Sequence, residues 1–357
     1  MIEFDHSTLG QRVLFARGRA VDNIAAAVGD LSASRVLLIA DSFVSGLADE
    51  VAHRVPVVAR IDDVIQHVPV ENGSTAVDLA RSEGVDAVVC IGGGSSTGLA
   101  KFVARDTEIP IVAVPTTFAG SEATDVWGQT NGDRKTTGSD PKVLPRIVVY
   151  DVDLFVSLPS RLAVASGLNA VAHAVDAFWA PRADPIDTAL ATEGLRALIP
   201  GLRAMSENPN DLDAREATLY GAYLAAVAFA SAGSGLHHKI CHVLGGAYGL
   251  SHADTHAVVL PYVVDFNGPA APNAAHRVSD ALGGAPAARG LYELRRDLGV
   301  VDSLAELGMP EHGIDTAAER ILAAVPASNP RPVALDDLRI LLAAAWAGEP
   351  IDEQDRA

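Results

Sequence analysis

Five of the eleven histidines in this chain, His237, His238, His242, His252 and His256, fall between positions 237 and 256. Imidazoles titrate near neutrality, so a cluster of them suits proton transfer, hydrogen bonding to a developing oxyanion, or metal ligation. His238 and His242 are four apart and share one face if that segment is a helix; Asn169 and His173 repeat the spacing in SGLNAVAHAVDA. His237 and His256 read as bystanders of the cluster. A second group is rich in glycine and hydroxyls. Ile91 runs into Gly92, Gly93, Gly94, Ser95, Ser96 and Thr97, after which helical spacing begins. Glycines let the backbone approach a phosphate, and the N–H groups at a helix start face an anion. The run matches neither G-x-G-x-x-G nor a Walker loop, and a plain tight turn would use the same residues. Asp41 ends an earlier apolar run, where a carboxylate accepts from a ribose hydroxyl or simply caps the next helix. A third loop, PTTFAGSE, places Thr116, Thr117 and Ser121 after another apolar run.

The elements that must position these residues change character along the chain. Over the first ~150 residues, a typical domain length, short β-branched runs alternate with helical patterns. RVLLIAD, DAVVCIGGG, IPIVAVPTT and RIVVYD read as buried parallel strands, with helices over 74–84 and 96–106. After Pro159 alanine and leucine dominate, and helices are expected over 166–180, 187–205, 217–236, 287–298, 315–324 and 335–347. The division is an α/β nucleotide-binding domain over 1–157 and an all-helical domain over 158–357.

Forty-five Asp+Glu against 27 Lys+Arg give a net charge of −18, which excludes a general nucleic-acid binder. Cys90 and Cys241 lie far apart, outside any C-x-x-C pattern, and read as small buried hydrophobes. The segment 217–236 has no charge but is built of Ala, Gly, Ser and Tyr, which fits a helix inside a soluble domain better than a membrane span. No signal peptide is visible at the N-terminus, so the chain reads as cytoplasmic.

GGGS, PTTFAGSE, the N-x-x-x-H helix and H-x-x-x-H-x-L-G-G with a later histidine resemble the iron-containing alcohol dehydrogenase superfamily, over nearly the whole chain. That resemblance implies an α/β NAD(P)-binding domain followed by an all-α domain, the dehydroquinate synthase-like architecture. It implies three metal-ligand histidine positions falling on His173, His238 and His252, with Asn169 where an aspartate is usual. His242 matches a histidine near the nicotinamide. GGGSSTGLAK, VPTTFAGSEATDVWG, KTTGSDPKVLPR and GLHHKICHVLGG are most similar to the maleylacetate reductases within that superfamily. The likeness implies reduction of maleylacetate, a dicarboxylate, possibly with chlorinated analogues, to 3-oxoadipate by NADH or NADPH, by a homodimer. It implies cofactor contacts at Asp41, Gly93, Gly94, Ser95, Ser96, Thr97, Thr116, Thr117, Ser121 and Lys135.

The amide at position 169 removes an anionic ligand, and with the family likeness this leads to the expectation that no metal is bound. On that reading His242 and His252, backed by His173, His238 and Asn169, stabilise the enolate and deliver the proton. Lys101, Lys135, Arg146 and Lys239 are candidate cations for the substrate carboxylates. The rival expectations are a metal-dependent alcohol or polyol dehydrogenase on the same scaffold, a dehydroquinate synthase-like lyase, and a non-enzymatic binder.

Overall fold

The computed structural model describes residues 3–65, 68–131 and 134–351. The chain divides into two compact units, Leu9–Leu158 and Pro159 onward, and the segment ending at Thr8 groups with the second.

In the first unit six parallel strands form one sheet: β1 (Arg12–Phe15), β2 (Val36–Ala40), β3 (Val57–Ile61), β4 (Ala87–Gly92), β5 (Ile111–Pro115) and, after a hairpin, β8 (Ile147–Tyr150). Their order is β1-β8-β5-β4-β2-β3. β6 (Val126–Asn131) and β7 (Arg134–Ser139) make the hairpin, a separate antiparallel ribbon. The central strands are apolar at every position because both faces are covered. Val36, Leu38 and Ala40 pack with α1 (Ala20–Asp30) and α2 (Ser45–Ala52), whereas Leu37 and Ile39 pack with α3 (Val70–Ser82) and α4 (Gly94–Thr107). Cys90 is a buried member of the second core, as a small hydrophobe would be. The chain leaves β2 outward to β3 and returns beside β2 as β4, so the strand order reverses between β2 and β4. In open α/β sheets the crevice at such a reversal, beyond the strands' carboxyl ends, is where ligands bind. Asp41 and Gly93 follow those two strands.

The second unit is helical: α5 (Ser160–Ala177), α6 (Pro185–Glu207), α7 (Leu212–Ala232), α8 (Leu236–Tyr248), α9 (His252–Asn267), α10 (Pro272–Ala281), α11 (Ala287–Asp297), α12 (Ile314–Leu322) and α13 (Leu335–Ala347). α5 is buried along almost its whole length from Ala163 to Ala177, which places Asn169 and His173 in the interior. The segment expected as one helix over 217–236 is instead broken. α7 ends at Ala232, and α8 leaves it at 96° after Gly233–Gly235. Among the described residues no single helix is long and apolar enough to cross a membrane.

Candidate active site

The α/β unit brings Asp41, the glycine turn and Thr117 together at the carboxyl end of the sheet. Gly92 has φ +150°, and a Cβ there would lie 2.2 Å from Ser96 Oγ and 3.5 Å from Asp41 Cβ. A Cβ on Gly93 would press on Thr117 Cγ2 at 3.1 Å. Asp41, the glycine turn and Thr117 are therefore neighbours, although β2, β4 and β5 are far apart in sequence. Gly93 is the N-cap of α4 and offers no side chain, so the first N–H groups of the helix keep their capacity for an anion. Ser96 and Thr97 are buried, so the turn presents main chain to a ligand more than those two hydroxyls. Thr116 follows β5, its N–H bonded to Gly92 O, and Ser121 opens the 3-10 turn Ser121–Ala123. Asp41 also caps its own turn, accepting from Phe43 N at 3.3 Å. The Lys135 side chain lies outside the described residues.

Lys101, a candidate carboxylate anchor in the sequence, is instead wholly buried. Its Nζ donates to Val126 O at 2.6 Å, Thr124 O at 2.9 Å and Thr124 Oγ1 at 3.1 Å. Burial lowers its pKa to about 7 against the opposing pull of Glu122 and Asp125. Glu122, itself pushed up by burial, accepts from Tyr150 OH at 2.7 Å. This network holds the loop from Ser121 to Val126 in place. Phe118, in the loop after β5, is buried and stacks on Phe155 in the core at 4.9 Å between centroids.

The helical unit gathers the histidines. His173 from α5 and His238 from α8 stack at 5.1 Å between centroids, with Phe229 of α7 against both. His242, one turn beyond His238, lies 6.1 Å from its ring and 6.3 Å from that of His252, the first residue of α9. His242 and His252 are exposed, whereas Asn169, His173 and His238 are buried. Burial pulls His173 down to about 4 and His238 well below its ordinary value, so both are neutral donors of electron pairs near pH 7. The bystanders of the sequence reading are part of the same packing. His237 and His256 share a hydrogen bond of 2.8 Å, and the His256 ring touches those of His238 and His252.

Asp176 is the residue that sequence reasoning missed. It lies one turn beyond His173 and is completely buried. Its Oδ2 accepts from Gly235 N at 2.7 Å and from His238 Nδ1 at 2.8 Å, and its Oδ1 accepts from Trp179 Nε1 at 3.0 Å. A Cβ on Gly235 would meet Asp176 Oδ1 at 2.5 Å, so glycine is required where the α7–α8 break closes on the carboxylate. Asp176 thus sets the His238 tautomer and leaves its Nε2 unprotonated. The i+3 spacing from His173 to Asp176 was the available signal, but its partner is 62 residues away.

Asn169 Oδ1, His173 Nδ1 and His238 Nε2 are buried atoms with no hydrogen-bond partner among the described residues. Buried polar atoms rarely go unsatisfied, and an amide oxygen with neutral imidazole nitrogens, one oriented by a carboxylate, is a donor set for a divalent transition ion.

A parallel-sheet unit with a glycine turn at its switch point, joined to a helical unit carrying such a donor set, defines a class of nucleotide-dependent dehydrogenase. Residues 10–152 match the model of the iron-containing alcohol dehydrogenases, and residues 163–346 that of the C-terminal part of the Fe-containing alcohol dehydrogenase family. The chain belongs to this family. Maleylacetate reductase from Sphingobium indicum is 42% identical over 98% of this chain and 99% of its own. A crystal structure of maleylacetate reductase from a Rhizobium species superposes with TM-score 0.93 at 40% identity, covering 98% of this chain and all of the other. An iron-containing alcohol dehydrogenase from Corynebacterium glutamicum gives TM-score 0.94 at 48% identity, covering 98% of each chain.

These matches correct the expectation that no metal is bound. Both units fall in a family defined by iron, which points to a metal beside NAD(P)H. Asn169 in place of an anionic ligand weakens the site but leaves imidazoles that suffice to hold an ion.

Proposed function

We propose that this chain is a maleylacetate reductase, which uses NADH or NADPH to reduce the carbon–carbon double bond of maleylacetate to 3-oxoadipate in the breakdown of aromatic compounds. Relatives of that name at about 40% identity over nearly the full length support the reading. The observation in the structure that carries it is the buried, carboxylate-oriented His238 beside His173 and Asn169, all with unsatisfied donor atoms.

The α/β unit holds the dinucleotide through the main chain of Gly93, Gly94 and Ser95, with Ser96, Thr97, Thr116, Thr117 and Ser121 shaping the turn and Asp41 on the ribose. Hydride goes to the alkene carbon conjugated with the ketone, and the electron pair it displaces runs to the ketone oxygen as an enolate. His173, His238 and His252 with the Asn169 oxygen would hold the metal, which supplies Lewis-acid stabilisation of that oxygen. His242 delivers the proton to the neighbouring carbon. It is exposed, so solvent restores its proton after each turnover. Overall, one hydride from the dinucleotide and one proton saturate the bond. A homodimer working in the cytoplasm belongs to the same reading.

The 48% identity to an iron-containing alcohol dehydrogenase favours one second reading, oxidation of an alcohol by NAD+. Absorbance at the NADH band separates them. Consumption of NADH with maleylacetate, at a rate well above that with simple aldehydes, is expected. Efficient NAD+ reduction by alcohols with no activity on maleylacetate would install the second reading.

A further inference from the structure

Away from the histidine cluster, the helical unit carries another group of ligand-type side chains. His6, in the segment that precedes the sheet, donates from Nδ1 to Asp184 Oδ2 at 2.7 Å. Asp184 is the N-cap of α6, and its other oxygen accepts from Ile186 N at 2.7 Å and Asp187 N at 2.9 Å. Asp187, in the first turn of the same helix, is completely buried. Among the described residues neither of its oxygens has a well-formed hydrogen bond, and the Ser231 hydroxyl is near enough to act only as a weak donor to it. One donor atom from each of His6, Asp184 and Asp187 lies within 4.8 Å of the others.

A buried carboxylate without a well-formed hydrogen bond is costly, and here it sits beside a second carboxylate. The helix N-terminus relieves part of that charge, but its first N–H groups are already taken by Asp184. Burial pushes the Asp187 carboxyl above its usual range, the expected sign for a site short of positive charge. Ligands on a shell of roughly 2.0–2.2 Å radius lie about 3–4 Å apart, so small side-chain movements would close these three atoms around an ion. One imidazole with two carboxylates suits a borderline divalent ion better than calcium or magnesium, which prefer all-oxygen sets.

We infer that His6, Asp184 and Asp187 form a second divalent-metal site of the zinc class, which ties the segment before the sheet to the start of α6. Water completes the coordination, and His6 binds as the neutral imidazole, giving up its hydrogen bond to Asp184. The site is independent of the proposed reaction.

The test counts zinc on the full-length chain after chelation, reloading and desalting. Two equivalents are expected on the parent protein and one on His6→Gln or Asp187→Asn, with NADH-dependent activity within twofold of the parent. The double variant His173→Ala/His238→Ala should keep one equivalent, and cobalt loading of it should give a visible absorption band that His6→Gln removes. Unchanged stoichiometry in both His6→Gln and Asp187→Asn would overturn the proposal. So would loss of all zinc from a folded His173→Ala/His238→Ala protein, leaving Asp187 as a neutral, protonated carboxyl.

Discussion

Replacing Asp176 by asparagine keeps the side chain's shape and removes its charge. The carboxylate accepts from Gly235 N, His238 Nδ1 and Trp179 Nε1 at 2.7, 2.8 and 3.0 Å, and more weakly from His238 N at 3.4 Å. An amide has one acceptor oxygen, and the best placement keeps it on the Gly235 and His238 side. The amide NH2 then faces the indole N–H, two donors with no acceptor between them. A hydrogen bond to a charged group contributes about 1.5–3 kcal/mol, and an unsatisfied buried donor costs about 1–3 kcal/mol. Shared between two retained, weakened bonds and one lost bond, the expected destabilisation is roughly 2–4 kcal/mol. Orienting partners of metal-bound histidines are worth about 10–100-fold in metal affinity or activity. Asp176→Asn should therefore weaken metal binding in a chelator competition and slow NADH consumption by that factor. NADH affinity should not move, because the glycine turn belongs to the other unit. A variant with lowered thermal stability but parental metal affinity and turnover would refute the orienting role and leave Asp176 as a clamp on the Gly233–Gly235 turn.

Further outcomes follow from the same geometry. His242→Ala should lower kcat by about 10²–10⁴, the range for a lost general acid, while NADH still binds by fluorescence titration; an unchanged kcat would remove His242 from the proton step. Gly92→Ala places a methyl 2.2 Å from Ser96 Oγ at φ +150°, so NADH binding should weaken at least ~10-fold, from strain of about 1–3 kcal/mol in the turn. Lys101 supplies the pH test. Its folded pKa of about 7 lies below its ordinary 10.5, so the unfolded chain holds more protons across that window. Relative to Lys101→Met, the parent should gain stability as pH rises from 7 to 10, by at most ~1.4 kcal/mol per unit. Parallel denaturation midpoints for the two proteins over that range would show that the lysine is not depressed.

Much of the molecule is legible from local pattern. β2, β4 and β5 are continuous apolar runs because both faces of the sheet are covered, and the glycines after Ile91 mark the turn into α4. β1 and β3 escape notice, since Arg12–Phe15 is four residues and Val57–Ile61 is half-buried throughout, so neither carries a distinct apolar period. The H-x-x-x-H and N-x-x-x-H spacings locate His238, His242, Asn169 and His173 because a helix puts i and i+4 on one face. The break at Gly233–Gly235 is not legible in the same way: Ala, Gly and Ser are compatible with a continuing helix, and only the approach of Asp176 to Gly235 forbids it.

Residue type and spacing were therefore enough for the two-unit plan, the glycine turn into α4 and the shared helix faces of the histidines, since each depends on contacts within a few residues. They were not enough for the roles of Asp176, Lys101 and the His237–His256 pair, whose partners lie 62, 23 to 25, and 19 residues away. Burial decides what those groups do, by fixing which hydrogen bonds are possible and which charges are tolerated. Burial is a property of the packed chain, and no local window of the sequence contains it.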